Sequence, residues 1–289
     1  MLTDGPVMIA LDGSSHSAQT LRWGLDEAAR RDADVLLVRV YREPREVVEW
    51  SWYPLLAEDL GLDTEAKEYL AAQLISARAS HPALTIGTTL LCGPEVPELR
   101  RESENARLLV LGTTALAGHP RLGSVSGHLA AHARCPVVLV RGDGERATGP
   151  VVVGIDGSPA SLGAARAAAH EASLRDVPVI VVHARAADEH GGMPALAPMA
   201  EGAIDQNDPT HRAAQDVVDL LRSDFPGLDV RLALVNDNPV HALVRAAHDA
   251  QLLVVGSRGR GSFRGMLLGS VSNEVVRDAT TTVLVMHED

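Results

Sequence analysis

The chain is one sequence written twice. The segment VMIALDGSSHS, from Val7 to Ser17, resembles VVVGIDGSPAS, from Val151 to Ser161, at an offset of 144. The same offset lays VLLVRV (Val35–Val40) over VIVVHA (Val179–Ala184), and ARLLVLG (Ala106–Gly112) over AQLLVVG (Ala250–Gly256). GSVS at Gly123–Ser126 matches GSVS at Gly269–Ser272 at an offset of 146, so the second copy carries two extra residues between Gly256 and Gly269. A chain of 289 residues is long enough for about two domains. The repeat divides it into 1–146 and 147–289, with the boundary in the turn-forming stretch GDGERATGP, Gly142–Pro150.

Within each copy, strand patterns alternate with helix patterns. VMIALD and VVVGID are short apolar runs rich in β-branched residues, as expected for strands buried on both faces. Each leads into Asp-Gly-Ser, a turn and helix N-cap signal. Helices are expected over Ser15–Arg31 and Pro159–Arg175. Leu21, Trp23, Leu25 and Ala28–Ala29 form the apolar face of the first. Second strands (Val35–Val40, Val179–Ala184), second helices (about 64–79 and 210–222) and third strands (83–91, 228–235) follow. Short helices begin near Val96 and Val240, and the fourth strands are Leu108–Leu111 and Leu252–Val255. A glycine-rich loop, a last helix and a fifth strand close each copy. Such alternation implies parallel pairing through right-handed crossovers. The expected fold is α/β: two tandem doubly wound, Rossmann-like domains, each with a five-stranded parallel sheet. Ligands in such domains bind beyond the carboxyl ends of the strands, where strand order reverses.

Composition narrows the function classes. With 26 basic and 38 acidic side chains the net charge is −12, the wrong sign for a simple electrostatic nucleic-acid binder. No apolar run approaches the roughly 18 residues of a membrane span, so neither nucleic acid nor membrane is an expected partner. The two cysteines, Cys92 and Cys135, form no disulfide scaffold, and the amino-terminal segment has no signal-like pattern. The expected location is the cytoplasm.

Any bound anion must therefore be held by a local feature. The best candidate is GSRGRGSFRGMLLGSVS, Gly256 to Ser272. Gly256 and Gly259 suit close approach of backbone to a ligand and a positive φ. Gly269-Ser270 opens a helix whose free N–H groups and positive dipole end suit phosphate, with Ser270 a candidate cap and hydroxyl donor. Arg258, Arg260 and Arg264 lie here with no acidic residue between Gly256 and Ser272, a local reversal of the chain's charge.

The spacing G-x2-G-x9-G-[ST] after a fourth strand, the Asp-Gly-Ser after the first, and the closing GSVS resemble the universal stress protein family, in the tandem form of some bacterial members. The resemblance covers nearly the whole chain. It implies ATP, with or without Mg2+, as ligand. Asp156, with Gly157 in the turn beside it, would contact the ribose or phosphate side, and Ala184 would lie by the adenine. Gly256, Arg258, Gly259, Gly269, Ser270, Val271 and Ser272 would hold ribose and phosphates, largely through backbone. It implies a regulatory role in stress survival, exerted through ligand-dependent ordering of the Gly256–Ser270 loop and an unknown protein partner. It also implies pairing through the fifth strands, as a homodimer or an intrachain pseudo-dimer. A slow ATP-hydrolysing or phosphotransfer enzyme and a ligand-free scaffold are the alternatives.

The first copy departs from the pattern. Its loop, GTTALAGHPRLGSVS, has Ala115 where the second glycine is expected and is two residues shorter. Asp12, Val40, Gly112, Gly123, Ser124 and Val125 remain. A Cβ at position 115 would obstruct the ligand or an αL conformation, so the expectation is that the second copy binds nucleotide and the first binds weakly or not at all. No G-x-S-x-G, Walker A or paired-carboxylate pattern stands out, so no catalytic residue is assigned. The 12 histidines, His183, His241 and His248 among them, are expected to be surface or packing residues, with no metal site; the last two, seven apart, would share a helix face. Cys92 and Cys135 are expected to be packing thiols, near one another. Tyr41, Trp50, Trp52 and Tyr53 cluster after the second strand and are expected to cover the first core, whereas the counterpart, Ala186–Pro209, reads as a loop.

Overall fold

The computed structural model describes residues 4–42, 62–116, 119–121, 123–141, 148–185, 209–259 and 268–287. Trp50, Trp52, Tyr53, Arg260, Arg264 and residues 186–208 lie outside these. The chain divides near residue 145 into two compact units.

In the first unit the elements run β1 (Val7–Ala10), α1 (Ser17–Arg30), β2 (Val35–Tyr41), α2 (Leu62–Ser80), β3 (Ile86–Cys92), α3 (Glu95–Glu102) and β4 (Leu108–Gly112). A small hairpin of β5 (Thr114–Leu116) and β6 (His119–Arg121) follows, then α4 (Ser124–His132) and β7 (Val137–Val140). The second unit runs β8 (Val151–Gly154), α5 (Pro159–Arg175), β9 (Val179–Arg185), α6 (Pro209–Asp224) and β10 (Val230–Asn236). It ends with α7 (Pro239–Ala246), β11 (Leu252–Gly256), α8 (Ser270–Asp278) and β12 (Val283–Met286).

Each unit holds a parallel sheet of five strands. The order is β3-β2-β1-β4-β7 in the first and β10-β9-β8-β11-β12 in the second. The expected strands are all present, because their apolar runs are needed whole: Val7, Met8, Ile9, Val151, Val152 and Val153 are fully buried. In the second unit β8 lies between β9 and β11, Val151 pairing with Val179 on one side and Leu252 with it on the other. Strand order therefore reverses at β8 and β11, and the loops leaving their carboxyl ends meet there. Helix α5 approaches closely because the residues it buries are small: Ala164, Ala165, Ala168, Ala169 and Ala172 are fully buried.

The apolar face expected for α1 needs correction. Ala29 is exposed and Trp23 half-buried, while Glu27 is buried. Its carboxylate accepts from Arg31 Nε at 2.6 Å and pairs with Arg30. The repeat reproduces this, since buried Glu171 pairs with buried Arg175 in α5. Removing one partner of a buried pair strands the other charge. Glu171→Ala should therefore cost about 3–5 kcal/mol in urea unfolding of the second unit; a loss within the scatter of surface mutants would contradict the pairing.

Candidate functional site

At the reversal point of the second unit, β8 ends at Gly154 and the chain turns through Asp156-Gly157-Ser158. Gly157 has φ +79, which favours glycine, and Gly13 repeats the value in the first unit. Gly157 is exposed and sets the turn, while Asp156 is half-buried. Asp156 Oδ1 accepts from the Ser158 amide at 2.9 Å. Its Oδ2 faces Gly259, where an added Cβ would lie 2.5 Å from it. Gly256 and Gly259 do not take the positive φ expected of them. Their value is clearance, since a Cβ on Gly256 would lie 3.2 Å from the Ala160 carbonyl oxygen.

The base of the glycine loop is fixed by backbone bonds. The Ser257 amide donates to Met286 O at 2.7 Å, and the Gly269 amide donates to Ser257 O at 2.7 Å. The buried Ser272 hydroxyl donates to Gly256 O at 2.6 Å. Its hydroxyl thus holds the loop. Helix α8 then begins at Ser270 with Gly269 as its N-cap, and no side chain caps it. Ser270 is the first helical residue and does not cap, contrary to expectation. By contrast, α5 is capped by Ser158 and α7 by Asn238, whose Oδ1 accepts from the Val240 amide at 2.8 Å. The amides of the first turn of α8 are left facing a cavity.

That cavity has a volume of about 320 Å3, within the range of small-molecule sites. Apolar side chains of Ile155, Val182, Leu243, Val255 and Pro239 line it. Asp156, Arg258, Gly259 and the segment Gly269–Ser272 line it as well. Ala184 also lines it, at the end of β9. The structure thus brings together every residue expected in the second copy except Gly157. The apolar wall was missed: Ile155 and Val255 lie at strand ends and Pro239 opens α7, but Val182 lies within β9 and Leu243 within α7, so no local pattern marked them together.

The first unit places its counterparts at the corresponding edge. Asp12 follows β1, Val40 is the penultimate residue of β2, Gly112 ends β4, and Gly123, Ser124 and Val125 form the uncapped start of α4. The serine clamp is conserved in kind, Ser126 Oγ donating to Gly112 O at 3.0 Å. The loop between them differs: Ala115 sits in β5 and pairs with Pro120 of β6, so the shorter segment folds as a hairpin. Asp12 Oδ1 accepts from the Ser14 amide and from Ser17 Oγ, both at 2.9 Å. Partial burial alone would raise the Asp12 pKa, but the Ser14 and Ser17 hydrogen bonds together outweigh it and hold it below the ordinary value. A depressed folded pKa gives stability that is full above the unfolded value of about 4 and is lost as pH falls through the folded value. Carboxyl NMR should show Asp12 titrating below model Asp in the folded protein, and Ser17→Ala should raise its midpoint; an unmoved midpoint would contradict the tether.

The histidines and cysteines also differ from expectation. His241 lies in α7 but His248 lies beyond its end, in a turn beside Asp249, so they share no helix face. One pair at metal-ligand spacing went unread in the sequence: His128 and His132 of α4, whose rings stack at 4.5 Å. Among the described residues, no group of three or more candidate ligands forms a metal site. Cys92 ends β3 and Cys135 precedes β7, the two edge strands of the first sheet, about 19 Å apart at ordinary strand spacing. Cys92 is exposed, whereas burial pushes the Cys135 thiol up to about 12. One thiol per folded chain should react with a disulfide reagent at pH 8, and Cys135 only on unfolding; two fast thiols would contradict this. No helix among the described residues is long and apolar enough to cross a membrane.

The second unit thus carries a glycine loop and an uncapped helix start at the reversal point of an α/β sheet, and the first unit repeats the fold with a hairpin in place of that loop. The chain belongs to the universal stress protein family, whose model matches residues 5–141 and 148–287. A universal stress protein of Mycolicibacterium smegmatis is 33% identical over 99% of this chain and 98% of its own. A solved universal stress protein from Archaeoglobus fulgidus shares the fold, with a TM-score of 0.75 at 17% identity, covering all of both chains. A universal stress protein solved in complex with cAMP is 30% identical over 49% of this chain and 99% of its own, with a TM-score of 0.37.

Proposed function

We propose that the second unit binds an adenine nucleotide, ATP with or without Mg2+, and that occupancy of this edge is a signal read by a protein partner in the stress response. The observation that supports it is that the uncapped first turn of α8, Arg258 and an apolar set of side chains line one cavity. A flat base suits the apolar lining, and phosphate oxygens suit amides at an uncapped helix start. Arg258 adds positive charge on the side where phosphates would lie. Among the described residues no protein cluster would hold Mg2+ by itself, so the ion would be carried by the phosphates. The chain's own residues bind and orient; no hydrolytic step is assigned to them. Two domains of one family in a single chain are compatible with an intrachain pair.

The ligand-free scaffold reading has one observation in its favour: Asp156 Oδ2 already lies against Gly259. Calorimetric titration separates the two. ATP should bind at one site per chain, with AMP and cAMP run as competitors. Gly259→Val should lower the affinity about tenfold or more, because its side chain displaces the Asp156 carboxylate, and should leave the melting temperature within a few degrees. Absence of ATP binding to the wild-type protein would overturn the proposal, and two equal sites would overturn its assignment to the second unit alone.

A further inference from the structure

The two units end their first strands on different residues. In the second unit β8 closes on Gly154, and in the first β1 closes on Ala10, the same position of the repeat. The helix that follows the third strand carries a leucine at one position in both copies. Leu243 of α7 and its counterpart Leu99 of α3 are both buried.

The glycine and the leucine are matched in the second unit. A Cβ added to Gly154 would lie 2.9 Å from Leu243 Cδ1 and 3.0 Å from its Cδ2. Carbon atoms in contact settle about 3.5–4.0 Å apart, so Leu243 fills space that exists only because residue 154 has no side chain. Gly154 does not take a positive φ, and its value is therefore room. Both residues line the cavity, as does Val182, which pairs with Gly154 across β8 and β9. Protein interiors are close-packed, so a buried side chain displaced by a new methyl moves towards whatever space adjoins it. For Leu243 that space is the cavity.

We propose that Gly154 is a specificity-determining residue of this site: its lack of a side chain lets Leu243 seat against the end of β8, and this keeps the adjoining part of the cavity open for the planar base of a nucleotide. The inference rests on the nucleotide reading above and names the pair of residues that sets the room for the base. It also separates the two units at a position away from the glycine loop, because the methyl of Ala10 denies Leu99 the same seat.

The test uses Gly154→Ala, Leu243→Val and the double variant in the full chain. Alanine already ends β1 in the first unit, so this strand position tolerates it. Calorimetry should show ATP affinity lowered about tenfold in Gly154→Ala, the low end of what one extra methylene is worth in a binding pocket. Adding Leu243→Val shortens the displaced side chain and should restore most of the loss, a rescue that general damage to β8 would not give. Melting temperatures supply a second readout without nucleotide. The double variant should melt higher than the summed shifts of the single variants predict, because the two residues share one space. Affinity unchanged in Gly154→Ala, or lowered and not rescued, would overturn the inference. If the wild-type protein binds no ATP, the nucleotide reading fails by itself. The melting temperatures then decide the contact between Gly154 and Leu243, and additive shifts overturn it.

Discussion

Three hydrogen bonds at the foot of the glycine loop hold the second unit's site together. Ser257 is tied to Met286, Gly269 to Ser257, and the Ser272 hydroxyl to Gly256. They join the end of β11, the end of β12 and the first turn of α8 before any ligand arrives. A phosphate site made of backbone amides works only if those amides are already aligned, because ordering them on binding would consume the small gain of each hydrogen bond. The residues spanning the loop can therefore vary while its two ends stay in register. The first unit retains the serine part of this frame, Ser126 on Gly112, and spans the gap with a hairpin.

The contrast between the units is mainly one of acceptors and donors placed on the same frame. Helices α4 and α8 both start on a glycine with no side-chain cap, so both present unsatisfied amides. The units differ in what surrounds those amides. In the second, the opposing aspartate faces the loop and an arginine lines the cavity. In the first, the aspartate is tethered by Ser17 of its own helix. Duplication preserved the scaffold, and a few positions at this edge distinguish the two copies.

The strands were legible in the sequence because a buried parallel strand needs an unbroken apolar run, and the repeat supplied each run twice. The glycine loop and GSVS were legible because spacing alone carries them to the end of β11 and the start of α8. Other features were hidden by averaging over residue types. Nothing in the local sequence singles out Glu27 and Glu171, and the fold shows them buried against arginines. Gly256 and Gly259 were expected to need unusual dihedrals, but they are small because Ala160 and Asp156 stand close. The separation of Cys92 from Cys135 depended on strand order, which local sequence does not encode. The apolar wall of the cavity is assembled from β9, β11, α7 and the turn after β8, so no single segment announced it.

The central claim is that the first amides of α8 bind phosphate. The most direct measurement is the amide NMR spectrum of the full chain during titration with ATP at constant Mg2+. Saturable, low-field shifts of Ser270, Val271 and Ser272, with Ser124, Val125 and Ser126 unmoved, are the predicted result. Amides of α8 that stay in place at saturating nucleotide would contradict the account.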